Sequence, residues 1–323
     1  MANSNPQQNN VLAAVPSSLL VLVLWLVSGV CAICTAVAGV LMLIPQSLIQ
    51  QVNKASQNST FDYKKQVVII TGGSNGVGEL TVKKFMDLGS KVAVLDIHEP
   101  SYKLKDNVKY YHCDVSNSSM VKAVIDKVAK ELGPPTVLFN NAGIVVAKSL
   151  ISSTIEELDR VNNVTYASMM YTTHAVLPYM LEKNNGHIIS VASMVSFVTT
   201  PKSLTYCAAK AAVHSFFEGL RQELDLNPQG DNIHVSTVYP ARIKTNMFSG
   251  VKTPQWFVPD VTPDYVAQQV VDTVGSQQGK DLFLPLSTKL LQLIVFFPRN
   301  IRNIAYQLTG VATSFDGFKG NKW

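Results

Sequence analysis

Seven short apolar runs recur along the chain, at 66–71, 91–96, 108–113, 136–139, 187–192, 233–239 and 282–284. The first, Gln66-Val67-Val68-Ile69-Ile70, is typical. A brief run rich in β-branched residues reads as a strand buried on both faces. Between the runs, apolar positions return at helical spacing, as in Glu79 to Leu88. Strands alternating with helices predict an α/β fold, a Rossmann-type doubly wound sheet of seven parallel strands covered on both sides. One catalytic domain over 66–285 accommodates all seven runs.

The pattern is different outside that domain. Residues 1–17 form a polar tail rich in Asn and Gln, and no Asp, Glu, Lys or Arg occurs between Met1 and Lys54. Within that stretch Ser18 to Ile44 is almost wholly apolar, longer than the roughly 20 residues that cross a bilayer. A cleaved signal peptide has a basic start and an apolar region of about 7–15 residues, and neither is present. The expectation is an uncleaved anchor over 18–44, either a straight span or a hairpin broken at Gly29, Gly39 or Pro45. A polar linker over 45–65 follows. Its basic residues, Lys54, Lys64 and Lys65, lie on the domain side and place the domain toward the cytosol. Residues 286–323 form a further tail. In it Leu290 to Phe297 is apolar, bracketed by Lys289 and Arg299, and too short to span. An interfacial helix over 286–299 is expected, with a core or dimer-packing helix as the alternative.

Composition sharpens this picture in three respects. The 323 residues are 47% hydrophobic and only 15% charged, and the apolar excess is concentrated in the anchor. The net charge of +5 is spread out, which suits an anionic membrane surface and offers no footprint for nucleic acid. Four cysteines, two of them (Cys31 and Cys34) inside the anchor, suggest neither a disulfide framework nor a metal site.

Two constellations carry chemistry. The first run feeds into Thr71-Gly72-Gly73-Ser74-Asn75-Gly76-Val77-Gly78, and a helix follows. Gly72, Gly76 and Gly78 permit a tight turn and close approach of a pyrophosphate, which would rest on Ser74, Asn75, Gly76, Val77 and Gly78 at a helix N-terminus. Asp96 ends the second strand eighteen residues beyond Gly78, where a carboxylate accepts from an adenosine ribose and repels a 2′-phosphate. NAD(H) is the expected cofactor, with NADP(H) as the alternative. The second constellation is Tyr206-Cys207-Ala208-Ala209-Lys210, with Ser193 thirteen positions earlier. Residues four apart share a helix face, so Lys210 can draw down a phenol whose ordinary pKa is about 10. Ser193 would hold an oxygen beside it. These are the parts of a general acid/base for hydride chemistry at an alcohol carbon.

With Cys113-Asp114-Val115, Asn140-Asn141-Ala142-Gly143 and Pro240-Ala241-Arg242-Ile243-Lys244-Thr245 in order after later strands, the chain resembles the short-chain dehydrogenase/reductase family over roughly 64–285. The resemblance implies that Asp114 and Val115 meet the adenine and that Asn141 borders the cofactor. It also implies that Lys210 bonds the nicotinamide ribose and that Ile243 and Thr245 close over the nicotinamide. A relay asparagine expected before the fifth strand falls on Thr165 by count, with Asn163 two residues away. Either could serve. The closing stretch Leu308 to Gly320 resembles the membrane-associated branch of retinol and 17β-hydroxysteroid dehydrogenases of the endoplasmic reticulum and lipid droplets. The apolar loop residues Met247, Phe248, Val251, Trp256, Phe257 and Val258 suit a mobile cover over a lipophilic alcohol or carbonyl. The expected function is therefore a membrane-anchored oxidoreductase, a homodimer or homotetramer. The alternatives are a 3-ketosphinganine-type reductase and a non-catalytic lipid-surface scaffold that binds cofactor.

Overall fold

The computed structural model describes residues 61–256 and 258–320, with Gly29 alone before them. The expected polar tail, the anchor over 18–44 and most of the linker lie outside the described residues. Among the described residues no helix is long and apolar enough to cross a membrane.

Seven strands form one parallel sheet in the order β3-β2-β1-β4-β5-β6-β7. They are β1 (Val67–Thr71), β2 (Lys91–Asp96), β3 (Val108–His112), β4 (Val137–Asn140), β5 (Gly186–Val191), β6 (Ile233–Pro240) and β7 (Asp281–Leu284). The expected runs differ from these bounds by no more than a residue at either end. Successive strand residues point to opposite faces. Val67 and Ile69 therefore enter one core with Val121, Val176 and Phe217, while Val68 and Ile70 enter the other with Val82, Phe85 and Val270. The first layer holds α2 (Ser118–Glu131), α4 (Ser168–Lys183) and α5 (Leu204–Asp225); the second holds α1 (Gly76–Asp87) and α6 (Pro263–Ser276).

Strand order reverses between β1 and β4, and this opens a crevice at the carboxyl ends of the strands. The register Ile70↔Phe139 brings the loops after these two strands side by side. Thr71 Oγ1 accepts from the backbone N–H of both Asn141 and Ala142, at 3.0 and 3.1 Å, which fixes the two loops together.

The helix before β5 is interrupted. A capping box of Thr154 and Glu157 starts α3 (Ile155–Asn162), five residues of π-helix run from Asn163 to Ala167, and α4 continues from Ser168. The C-terminal region also departs from the expected interfacial helix over 286–299. Leu286–Phe296 winds as 3₁₀ turns, Pro298 interrupts it, and α7 occupies Arg299–Leu308. Pro has no N–H to donate, which makes it a natural break between two helical pieces. The linker boundary differs as well, since Phe61 and Tyr63 pack on the core and the Tyr63 hydroxyl donates to the Val271 carbonyl at 3.2 Å.

Candidate active site and cofactor cradle

The cradle begins where β1 turns into α1. Gly72 and Gly76 have φ of +65° and +59°, the left-handed region that glycine tolerates best. Gly78 is needed for contact instead. A Cβ there would lie 2.0 Å from the Gly72 carbonyl oxygen and 2.8 Å from Asn141 Nδ2. The helix can start this close to the strand only because Gly78 has no side chain. Asn75 precedes α1 in extended geometry and its side chain caps nothing, so first-turn N–H groups of Gly76, Val77 and Gly78 remain for an anion.

Asp96 ends β2 beside this turn. Its Oδ2 accepts from Ser74 N at 3.0 Å and its Oδ1 from His98 N at 3.1 Å, while Ser74 Oγ donates to the His98 carbonyl at 2.5 Å. The carboxylate is thereby aimed, and its remaining lone pairs are open to hydroxyl donors. Asp114 is held similarly, with Oδ1 accepting from the backbone and hydroxyl of Ser116; Val115 is buried beside it. Thr245 lies across the crevice, its Cγ2 3.7 Å from where a Gly76 Cβ would stand. Ile243 is buried and bridges to Val261. A glycine turn that a methyl group would fill, open amides and a preset carboxylate fit a nicotinamide dinucleotide.

Asn141 stands against the glycine turn. Its Nδ2 donates to the carbonyls of Thr71 and Gly72, at 3.0 and 3.1 Å, so its donors tie β4 to the glycine turn.

Tyr206 and Lys210 lie one turn apart on α5, both buried, with Nζ 5.7 Å from the centre of the phenol ring. Lys210 Nζ donates to the Val191 carbonyl at 2.6 Å, at the end of β5. Ser193 follows in extended geometry, its Oγ accepting from Val195 N at 3.3 Å and donating to the Pro240 carbonyl at 3.4 Å. Burial pushes the Tyr206 phenol up, with Cys207 acting in the same direction, and burial pushes Lys210 down to about 7. Burial, not the neighbouring lysine, sets the direction in which the phenol moves. Taking both groups out of water penalises each charged form.

Of the two relay candidates, Asn163 is exposed on the π-helical turn and Thr165 is fully buried. A methyl on Gly143 would lie 3.8 Å from both Thr165 Oγ1 and Lys210 Nζ, so these two flank the same loop. The Thr165 hydroxyl accepts from Ile144 N and donates to Ile144 O, both at 3.1 Å. It is engaged in holding that loop.

The space around Tyr206 is apolar. Ile144, Val145, Val161, Val195, Val251 and Phe315 pack with it, and the Phe248 ring meets it edge-on at 6.1 Å between centroids. Sequence reasoning missed what fixes the loop after β6. There the Arg242 guanidinium pairs with both oxygens of buried Asp260, and its Nη1 donates to the Val251 carbonyl at 2.6 Å. Burial works to raise the Asp260 carboxyl, but Arg242, with Gln255 and Thr253, holds it below its usual range. No spacing signal links residues eighteen apart in a loop that carries only a 3₁₀ turn at Asn246–Phe248 among its described residues.

The family model described as short chain dehydrogenase matches residues 66–256. Short-chain dehydrogenase/reductase 3 of Homo sapiens is 30% identical over 299 residues, which are 87% of this chain and 97% of that protein. Epidermal retinol dehydrogenase 2 of Homo sapiens is 30% identical over 80% of this chain and 86% of its own length. The 17-beta-hydroxysteroid dehydrogenase 13 of Homo sapiens is 29% identical over 80% and 87%. Among solved structures, the ligand-free aldohexose dehydrogenase of Thermoplasma acidophilum superposes with a TM-score of 0.60 at 28% identity. It covers 69% of this chain and 93% of its own.

Proposed function

The chain belongs to the short-chain dehydrogenase family, and from that premise we propose that it is a membrane-anchored oxidoreductase interconverting a lipophilic alcohol and its carbonyl compound, with NAD(H) preferred over NADP(H). The observation that carries this reading is buried Tyr206 with Lys210 Nζ 5.7 Å from its ring, set in an apolar cluster that also takes Val195, two residues after Ser193.

The glycine turn, the α1 N-terminus, Asp96, Asp114, Val115, Ile243 and Thr245 would hold the dinucleotide, which when bound accepts or supplies hydride. Ser193 Oγ holds the substrate oxygen. Tyr206 passes the proton to or from that oxygen through its hydroxyl. A phenol kept protonated by burial is the acid that carbonyl reduction needs. Lys210, anchored on the Val191 carbonyl, stands within reach to steady the phenolate that forms when the proton leaves. The surrounding apolar side chains exclude water and favour a substrate with a greasy body.

Support for the membrane comes from two places. The uncharged stretch over 18–44 has the length and composition of an anchor. On α7, Ile301, Ile304 and Leu308 share one exposed face, beside exposed Val295 and Phe296. Lys289, Arg299 and Arg302 lie among them, and no acidic residue occurs between Asp281 and Asp316. That is the make-up of an interfacial helix on anionic lipid, with the endoplasmic reticulum or lipid droplet surface as its location and the catalytic domain on the cytosolic side. Assembly as a homodimer or homotetramer follows the family resemblance.

The test is turnover by the full-length protein in detergent, following reduced nicotinamide with all-trans-retinol, estradiol and long-chain primary alcohols. Cofactor-dependent oxidation of at least one is expected, with loss in Tyr206→Phe. Absence of turnover on the whole panel and on the matching carbonyl compounds would overturn the reading.

A further inference from the structure

The apolar cluster around Tyr206 draws on a part of the chain outside the sheet and its helices. Phe315, 6% exposed, and Phe318 pack into the wall around Tyr206, with their rings 5.9 Å apart. Both belong to the segment after α7, more than a hundred residues beyond Tyr206 in sequence.

That segment is tied to the loop after β6 along its length. Lys252 N donates to the Ser314 carbonyl at 2.9 Å and Lys319 N to the Ser249 carbonyl at 2.8 Å, so two backbone bonds bracket the aromatic pair. Between them the two backbones cross at Gly250 and Gly317. Gly250 has φ of +80°, and a Cβ on it would lie 1.9 Å from the Gly317 carbonyl oxygen. A Cβ on Gly320 would lie 2.6 Å from the Met247 carbonyl oxygen. On the outside, Lys202 pairs with Asp316 at 2.6 Å. The opposite side of the same loop is pinned by Arg242 through the Val251 carbonyl.

We propose that residues 314–320 are a working part of the substrate site, clamping the loop over 246–252 and setting Phe315 and Phe318 as the wall that receives the substrate's apolar body. The proposal deepens the oxidoreductase reading and rests on it for the identity of the substrate class. A short alcohol reaches Ser193 and Tyr206 without touching this wall. A substrate with a bulky hydrocarbon body touches it and gains from the burial. Selectivity for large over small alcohols therefore resides in the C-terminal segment, which meets the cofactor cradle through the loop after β6 that also carries Ile243 and Thr245.

Two measurements on the full-length protein test this. In the first, hydrogen exchange of amides over 246–256 is compared between the unmodified chain, a chain ending at Gly310 and the milder variant Phe318→Ala. The truncation should speed exchange there by about tenfold or more, with Phe318→Ala intermediate, while β1 and α1 stay protected. Unchanged exchange over 246–256 in both variants overturns the clamp, and so does a loss of protection by Phe318→Ala spread evenly over the sheet. In the second, kcat/KM for all-trans-retinol and butan-1-ol is compared between the unmodified protein, Phe315→Ala and Phe318→Ala, with NADH affinity measured by fluorescence. The ratio of the retinol to the butanol value should fall roughly tenfold or more, as lost apolar contacts in a pocket do, with NADH affinity falling far less than the retinol value. Equal losses for both alcohols overturn the wall. Where the unmodified protein turns over another compound of the wider panel, that compound replaces retinol; failure on the whole panel overturns the functional reading on its own, and the exchange measurement still decides the clamp.

Discussion

Lys210 Nζ stands 5.7 Å from the centre of the Tyr206 ring and is bonded to the Val191 carbonyl at the end of β5. The cation and the phenol are thus joined to the sheet as one unit, since α5 carries both and β5 fixes one of them. Tyr206→Phe keeps the ring and its packing on Phe248 and removes the exchangeable proton. Turnover should fall about 10²–10⁴-fold, with NADH affinity and melting temperature almost unchanged. Near-full turnover in the variant would assign the proton to another group.

Burial of Lys210 has a consequence for stability against pH. Its ordinary pKa of 10.5 falls to about 7 in the fold. Between those values the unfolded chain holds a proton that the folded chain has released, so stability rises with pH across that window. Below about 7 the fold must accommodate a buried cation. Lys210→Met should therefore melt higher than the unmodified protein at pH 6–7, and the gain should shrink as pH approaches 10. Thermal unfolding across that range checks it; a gain that grows with pH would be the wrong sign.

Asp96 is aimed by Ser74 N and His98 N before any ligand arrives. Replacing it with Ser removes the charge that faces a 2′-phosphate. The ratio of NADP(H) to NAD(H) affinity should rise at least about tenfold, because like charges set together cost several kcal/mol. Titration of both cofactors by fluorescence decides it. Tighter NADPH binding by the unmodified protein would reverse the assignment.

At Gly78 the expected effect combines stability and binding. The added methyl of Gly78→Ala meets the Gly72 carbonyl, which is backbone and cannot swing aside. Overpacking of this kind costs about 1–3 kcal/mol. Both melting temperature and NADH affinity should drop, whereas Gly219→Ala, where nothing lies within 4 Å, should leave both unharmed.

The anchor and α7 make separable contributions to membrane binding. Full-length protein should resist carbonate extraction. A chain beginning at residue 61 should bind phosphatidylserine vesicles weakly and release in high salt, and Ile304→Glu should abolish that residual binding. Binding that ignores both salt and Ile304→Glu would remove α7 from the interface.

The sheet was legible in the sequence because each strand carries its own signal. Val68, Ile69 and Ile70 are fully buried, so a continuous apolar run is the only pattern that serves both faces. The glycine turn was legible too, because Gly72 and Gly76 need a backbone region that other residues avoid. Tertiary arrangements were much less visible. The bonds of Thr165 to Ile144 depend on how a π-helical turn phases two helices, and Asn163, two residues away, shows the same local character in sequence. The upward shift of the Tyr206 phenol depends on burial that a one-dimensional pattern does not express. The pairing of Arg242 with Asp260 and the docking of Phe315 depend on loops whose partners are set by the finished fold.

The crossing of Gly250 and Gly317 has a practical side. Gly320 is already packed against the Met247 carbonyl. A fluorescent protein or purification tag joined beyond Gly320 is tethered next to the loop whose Val251 packs with Tyr206. Such a fusion reports where the protein goes and is expected to change its activity at the same time. Location and activity therefore need differently tagged chains, or an untagged one for the kinetics.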